Sequence, residues 1–298
     1  MKLRAFIVRE TRFRAVLFAV SFIAMLWGYQ QMLFVHLPGV FTDTLEDMSY
    51  GWFVPLFSLY VLWRERSELL AAVAADARRK GGPGSVWGVF VLLPSLFAGF
   101  LGIRGLQIRL EIVGFVGALF GLAWTLFGFR TVRRVLFPFG FLLFCLPLHS
   151  YLDLVTIHLR MLAVSIASGV LQGCGAGVVR QGTMLMSSSG SFAIDVAEPC
   201  SGMRSLFAMM ALTAGYAYFN QPTWPRRWLL FALSVPIAVV GNVSRILSIV
   251  AIAATCSPGF ATGFYHDYSG YVIFLVSVLL MVATGELISK GAERCVRG

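Results

Sequence analysis

Apolar runs long enough to cross a lipid bilayer recur along almost the whole chain, and they constrain its fold more than any other feature. Of the 298 residues, 58% are hydrophobic and only 13% are charged, a composition outside the range of soluble globular domains. A transmembrane helix needs about 20 mostly apolar residues. The sequence therefore predicts an all-α polytopic integral membrane protein that forms a single domain over 1–298. We place about eight transmembrane helices, at 13–35, 50–63, 86–103, 110–129, 135–151, 203–220, 228–256 and 269–288.

The basic residues predict the orientation of these spans. Of the 24 Lys and Arg residues, 18 fall in five groups, near 2–14, 64–80, 130–134, 226–227 and 290–297. With eight spans all five groups lie on one side, and the positive-inside rule makes that side the cytoplasm. Both termini are then cytoplasmic, and the opposite loops carry acidic residues. The net charge of +10 is explained by topology and does not indicate a nucleic-acid partner.

Two segments between the fifth and sixth predicted spans differ from the rest. The segment 154–174 contains His158 and Arg160, and a further crossing there would turn Arg226 and Arg227 outward, so we expect it to lie at the membrane interface. After it, short alternating runs at 178–179, 183–186 and 191–196 are separated by Gly182 and by a Ser-Ser-Ser-Gly turn. This pattern predicts a small β-hairpin. Because sheet edges are not stable in lipid, we expect it at the extracytoplasmic surface.

Three chemically capable residues fall at the same predicted depth. Cys200 precedes the sixth span and His266 precedes the eighth, and both of those spans begin outside. Arg245 is about 17 residues into the seventh span, which begins inside, and a rise of about 1.5 Å per residue carries it some 26 Å, to the outer boundary. A cysteine, a histidine and an arginine in one layer suggest acyl-transfer chemistry, because a thiol needs a nearby cation or base to become a nucleophile.

The residues around these three form blocks with a recognisable order. Residues 198–205 are Glu-Pro-Cys-Ser-Gly-Met-Arg-Ser, Pro236 leads to Asn-Val-Ser-Arg-Ile at 242–246, and His266 is followed by Gly270. Upstream segments at 49–56, 63–66 and 137–147 extend the pattern. The chain resembles the exosortase/archaeosortase family over about 45–285, and the histidine in the third block favours the exosortase branch. Tyr50 and Pro199 depart from residues common in that family.

The resemblance implies a membrane cysteine peptidase or transpeptidase. Its substrates would be secreted proteins that end in a C-terminal sorting signal of the PEP-CTERM-like kind, with a short motif, a transmembrane helix and a basic tail. Cys200 would be the nucleophile, Arg245 the stabiliser of the oxyanion and His266 the general acid and base. The implied location is the bacterial cytoplasmic (inner) membrane, with the active site on its extracytoplasmic face and cleavage through a Cys200 thioester.

Other polar and cysteine residues can be explained by structural roles. Ser201, Arg204 and Asn242 would support the site, although helix capping and helix–helix hydrogen bonding explain them as well. We expect His149 and His158 to be interfacial. Cys145, Cys174, Cys256 and Cys295 are expected to be small buried residues. The sequence shows neither a zinc-type ligand spacing nor a phosphate-binding loop, so no metal and no cofactor are predicted.

Two alternatives to a transpeptidase remain open. A protease that hydrolyses the same substrates would use the same residues, with water in place of the unknown acceptor nucleophile. A non-enzymatic membrane component of exopolysaccharide export, or a transporter, would instead use Arg245 to line a path through the membrane. Transporters often contain paired broken helices in matching halves, and the sequence has no such repeat.

Overall fold

The computed structural model describes residues 2–43, 48–77, 84–195 and 202–297, with side chains except those of 2–9, 77, 149–154, 156, 202–204, 267 and 292–297. The chain divides into two compact units, Met1–Pro147 and Leu148–Gly298.

The first unit is helical throughout its described residues. Its helices are α1 (Lys2–Gly28), α2 (Leu37–Thr42), α3 (Phe53–Arg64), α4 (Arg66–Ala77), α5 (Val89–Gly105), α6 (Ile108–Phe127), α7 (Phe129–Arg134) and α8 (Leu136–Phe141). A π-helical turn, Met32–His36, joins the end of α1 to α2, and 3-10 turns lie at Ser49–Trp52, Val86–Gly88 and Leu142–Cys145.

Glycines bring α5 and α6 into close contact. A Cβ on Gly114 of α6 would lie 2.5 Å from the Cα of Gly99 on α5, and a Cβ on Gly121 would lie 2.5 Å from the backbone nitrogen of Leu92. At both places the obstacle is backbone, which cannot move aside as a side chain can. Small residues that let helix backbones approach are typical of packing between membrane helices, so this pair forms the centre of the first unit.

The second unit combines four helices of 19 residues or more with a small sheet. Its helices are α9 (His149–Gly173), α10 (Gly202–Asn220), α11 (Trp224–Thr255), α12 (Pro258–Phe260) and α13 (His266–Arg297), with a π-helical turn at Ala261–Tyr265. The strands are β1 (Val178–Gln181), β2 (Met184–Ser187) and β3 (Ala193–Asp195). They form an antiparallel sheet in the order β1-β2-β3.

The register of the sheet places one side chain of each strand in the core. Leu185 pairs with Ile194 across β2 and β3, and both are buried, as is Val178 of β1. Gly182 has a φ of +64°, which is the left-handed region needed in the two-residue turn between β1 and β2. The predicted β-hairpin is therefore confirmed, and β3 extends it to three strands.

An apolar cluster joins the sheet to α9 and to the C-terminal half of α11. Ala163, Val164 and Ala167 supply the buried face of α9, whereas Leu162, Ile166 and Val170 on the opposite face are exposed. From α11 the cluster takes Ile246, Ile249, Val250 and Ala253. The sheet thus packs beside the half of α11 that the charge distribution assigns to the extracytoplasmic side.

The membrane class predicted from the sequence is confirmed, whereas the number of crossings stays a prediction. In the described part of the chain, five helices are long and apolar enough to span a bilayer, namely Glu10–Gly28, Val86–Gly105, Ile108–Phe127, Trp224–Thr255 and Tyr268–Gly291. Each corresponds to one of the eight predicted spans. The predicted span 50–63 falls on the 12-residue α3, and 203–220 falls on α10.

Two expectations from the sequence are corrected. The predicted span 135–151 is interrupted, because Leu146 is extended at ψ 124° before Pro147, as the residue preceding a proline usually is, and α9 starts afresh at His149. Cys145 is buried as expected, but Cys174 and Cys256 are exposed. Both lie directly after the last residue of a long helix, where less protein covers the chain. The Cys295 side chain is outside the described set.

Candidate active site

The turn between α11 and α13 determines where His266 lies. Ser257 caps the short helix α12 by accepting a hydrogen bond from the Phe260 N–H at 3.2 Å, and the π-helical turn that follows is kinked at Gly263. Helix α13 then begins at His266 itself. Tyr265, the residue before it, packs against the same apolar cluster that buries the sheet. The backbone at His266 is therefore anchored to the core of the second unit.

Arg245 reaches His266 from the neighbouring helix α11. Its Nη2 lies 3.0 Å from His266 Nε2 and also donates to the His266 carbonyl at 3.1 Å. Ile246, the next residue, is 1% exposed in the apolar cluster, which fixes the rotation of α11 at this level. Two of the three residues singled out by the sequence are thus in direct contact, although 20 residues separate them in the chain.

A small cavity lies beside the Arg245 side chain. It has a volume of about 30 Å³ and is lined by residues of α10, α11 and α13, among them Ser205, Asn242, Gly270 and Ser277. A space of this size holds one or two water molecules. Among the described residues nothing hydrogen-bonds the buried Arg245 Nε, so the guanidinium has a donor to spare next to this space. Asn242, predicted as a supporting residue, is part of the wall.

Two helix N-termini border this region. Helix α13 starts at His266, and α10 starts at Gly202, two residues after Cys200. The first-turn residue Ser205 of α10 lines the same cavity as Arg245. Helix N-termini carry partial positive charge, and the guanidinium adds a full one. The electrostatic environment therefore favours an anion, such as a thiolate or a developing oxyanion.

Not all of the remaining predicted site residues lie within the described part of the chain. Cys200 and Ser201 lie outside the described residues, as does the side chain of Arg204. Their assignments stay predictions. His158 is exposed, and the His149 side chain is not described. No three His, Cys, Asp or Glu side chains in the described ranges come together as ligands for a metal ion.

One charged contact was missed by the sequence analysis. Glu111, in the first turn of α6, is 1% exposed, and its Oε2 lies 3.5 Å from His36 Nδ1. Its other oxygen, Oε1, has no hydrogen-bond partner in the described structure. Gly102 of α5 makes room for it, since a Cβ there would lie 2.9 Å from Glu111 Cγ. The sequence does contain a signal for this residue, because Glu111 is an ionisable residue inside a predicted apolar span, and such residues are functional candidates by default.

Comparison with known proteins agrees with the blocks seen in the sequence. A family model described as transmembrane exosortase (Exosortase_EpsH) matches residues 42–283, more than three quarters of the chain. The match includes Arg245, His266 and the whole segment between them. A search of the curated proteins and a search of the solved structures each found no match. The chain belongs to the transmembrane exosortase family.

Proposed function

We propose that this protein is a membrane cysteine transpeptidase that cleaves C-terminal sorting signals from secreted proteins at the extracytoplasmic face of the cytoplasmic membrane. Cys200 attacks the scissile peptide carbonyl, Arg245 stabilises the oxyanion and His266 transfers the protons. The substrates carry a short motif, a transmembrane helix and a basic tail. The thioester on Cys200 is released by an acceptor nucleophile, or by water if the enzyme is a protease.

One observation carries this proposal. Arg245 and His266 are in contact, and Ser205, in the first turn of α10, lines the cavity that Arg245 also lines. Cys200 is only five residues before Ser205 in the chain. This short tether favours an arrangement in which the thiol reaches the arginine–histidine pair. The nucleophile would also precede the N-terminus of α10, a position that stabilises a thiolate.

The chemistry follows from what each group can do. His266 takes the thiol proton of Cys200, and the thiolate forms a bond to the carbonyl carbon of the substrate. Arg245 donates hydrogen bonds to the resulting oxyanion, and one such donor contributes about 3 kcal/mol of transition-state stabilisation. When the peptide C–N bond breaks, His266 returns the proton to the leaving amine. The C-terminal helix departs and the N-terminal part stays on Cys200 as a thioester.

The predicted topology fits this class of substrate. A basic tail holds the C-terminus of a substrate helix in the cytoplasm, so the motif before the helix emerges at the extracytoplasmic boundary. The charge distribution assigns the Arg245 end of α11 to that same boundary. The substrate bond and the proposed site are therefore at one depth in the membrane.

Co-expression with a reporter substrate tests the proposal. The reporter is a secreted protein that ends in a sorting motif, a transmembrane helix and a basic tail, and its processing is followed by the change in its mass. We expect processing by the wild type and none by Cys200→Ala. Cys174→Ala and Cys256→Ala, which remove the two thiols that are exposed among the described cysteines, should process the reporter as the wild type does.

The mass of the new C-terminus separates the two enzyme classes. A free carboxylate indicates hydrolysis, and an added group identifies the acceptor of a transpeptidase. Equal processing by the wild type and by Cys200→Ala would eliminate the enzyme proposal. The export-component or transporter reading would then be favoured.

A further inference from the structure

The contact between Arg245 and His266 determines which ring nitrogen carries the proton. A guanidinium has only donors, so His266 Nε2, 3.0 Å from Arg245 Nη2, must accept. A neutral imidazole protonates one nitrogen and leaves the other as the acceptor. In this state His266 therefore carries its proton on Nδ1. A doubly protonated ring would face the guanidinium with an N–H and lose the hydrogen bond.

This assignment blocks the acid–base chemistry of the ring. The lone pair at Nε2 is engaged by Arg245, and Nδ1 already holds a proton, so no ring position can accept the thiol proton. Nor can the neutral ring act as an acid without becoming an anion. We propose that the Arg245–His266 contact is an inactive resting state, and that His266 becomes a base only when Arg245 moves to the carbonyl oxygen of a bound substrate.

The surroundings of Arg245 allow such a movement. The cavity beside it has a volume of about 30 Å³, and its Nε has no partner among the described residues. Gly270, which lines the same cavity, has no side chain to confine the guanidinium, and a Cβ there would lie in ordinary contact at 3.4 Å from Arg245 Cζ. The guanidinium is held to His266 through Nη2 alone. Within the described part of the chain, the two hydrogen bonds to His266 are the ones that have to be exchanged.

The proton balance of the step is simple. Arg245 exchanges its bonds to His266 for a bond to the substrate carbonyl, and the freed Nε2 takes the proton from the Cys200 thiol. The ring becomes an imidazolium with N–H groups at both nitrogens, and that second proton later goes to the leaving amine. One movement thus supplies the oxyanion donor and frees the base, so the thiol is not activated while the site is empty. This consequence rests on the proposed function, whereas the tautomer follows from the contact alone.

Nitrogen NMR of the full-length protein in detergent or nanodiscs, labelled with ¹⁵N at its histidine rings, tests the inference. The chain has only four histidines, and His266→Gln identifies the signals of His266 by their loss. At a pH where the ring is neutral, the wild type should show a protonated Nδ1 and an unprotonated Nε2. Arg245→Leu should shift His266 toward the Nε2–H form that a free imidazole prefers. A wild type that already has the Nε2–H form would overturn the inference.

Adding substrate tests the movement itself. Cys200→Ala lacks the nucleophile and should bind the reporter without cleaving it. We expect the His266 Nε2 signal in that complex to shift from that of a nitrogen hydrogen-bonded to Arg245 to that of a free lone pair, while Nδ1 keeps its proton. A matched peptide with the transmembrane helix and basic tail but no motif should leave the wild-type pattern unchanged. A His266 Nε2 signal that stays unchanged in the reporter complex would overturn the resting-state proposal. These spectra require no turnover, so their failure is distinct from a failure of Cys200-dependent processing.

Discussion

The two units of the chain each place a histidine at a π-helical turn and against an ionisable side chain, but one partner is basic and the other is acidic. His266 follows the turn Ala261–Tyr265 and meets the guanidinium of Arg245. His36 ends the turn Met32–His36 and meets the carboxylate of Glu111. π-Helical turns occur often at functional sites. Here the same local geometry supports two different kinds of contact.

The partner decides what each ring can do. A carboxylate only accepts, so the contact of 3.5 Å between His36 Nδ1 and Glu111 Oε2 draws a ring N–H, and not a ring lone pair, toward Glu111. A guanidinium only donates, so His266 loses the lone pair that a base needs. Glu111 is 1% exposed, which suits a contact that holds helices together. Arg245 lies beside a cavity, and its Nε has no hydrogen-bond partner among the residues that the structure describes, which suits a contact that must be exchanged during a reaction.

The largest expected difference between the two contacts is in the rate of substrate processing. Arg245→Ala should slow processing about 10²- to 10³-fold, because it removes the donor that stabilises the oxyanion. His36→Ala should leave the rate per folded molecule within about twofold, since nothing in the proposed chemistry involves it. Both rates are measured with the reporter substrate and normalised to the amount of folded protein. Comparable losses in the two variants would remove the functional distinction.

A smaller effect is expected from crowding the guanidinium. A Cβ at position 270 would lie in ordinary contact with Arg245, at 3.4 Å from both Cζ and Nη2, so Gly270→Val places its extra methyl groups against the guanidinium. We expect processing to fall about 10- to 100-fold, since a displacement of about 1 Å in an active site has effects of this order. Gly270→Ala should cost less than Gly270→Val.

Gly291→Val is the matched control for this change. Gly291 lies on the same helix α13, and a Cβ there meets nothing within 4 Å, so the substitution has the same effect on helix propensity without crowding Arg245. Equal losses for Gly270→Val and Gly291→Val would mean that propensity, and not the guanidinium, explains the result.

The smallest effect should appear in the stability of the first unit. His36→Ala leaves the Glu111 carboxylate buried without its partner, and we expect a cost of about 1–3 kcal/mol, which lowers the apparent melting temperature by several degrees. Adding Glu111→Gln to His36→Ala removes the unpaired charge and should recover part of that loss. Thermal unfolding of the wild type, the two single variants and the double variant in one detergent gives the coupling free energy between His36 and Glu111. Strictly additive effects would show that the two residues do not act as a pair.

Several features of the fold and the site were predictable because they depend on local pattern. Hydrophobic length gave five of the spans, and alternation broken by Gly182 gave the hairpin. Charge bias and helix rise placed Arg245 and His266 at one depth, and they are in contact. Membrane depth alone could not predict which atoms of Arg245 and His266 meet. The hydrogen bond from Arg245 to His266 Nε2 depends on the rotation of α11 and on the turn before His266. Both are set by packing between distant segments, through Ile246 and Tyr265 in one apolar cluster.

Other features depend on tertiary contacts that a single sequence does not reveal. The break at Leu146 could be inferred from Pro147, but apolar composition on both sides concealed it. Glu111 lies within the predicted span 110–129, and its partner His36 lies outside the segment that matches the family. Their contact requires Gly102 on a third helix, so only the packing of α5 against α6 makes it possible.

The most direct test of the account is the detection of the thioester. Purified protein is incubated with the reporter in the absence of added acceptor, digested, and analysed by mass spectrometry for the peptide that contains Cys200. The account predicts that this peptide carries the reporter fragment, that hydroxylamine removes it, and that Cys200→Ala gives no adduct. Processing of the reporter without any adduct on Cys200, and at the same rate in Cys200→Ala, would contradict it.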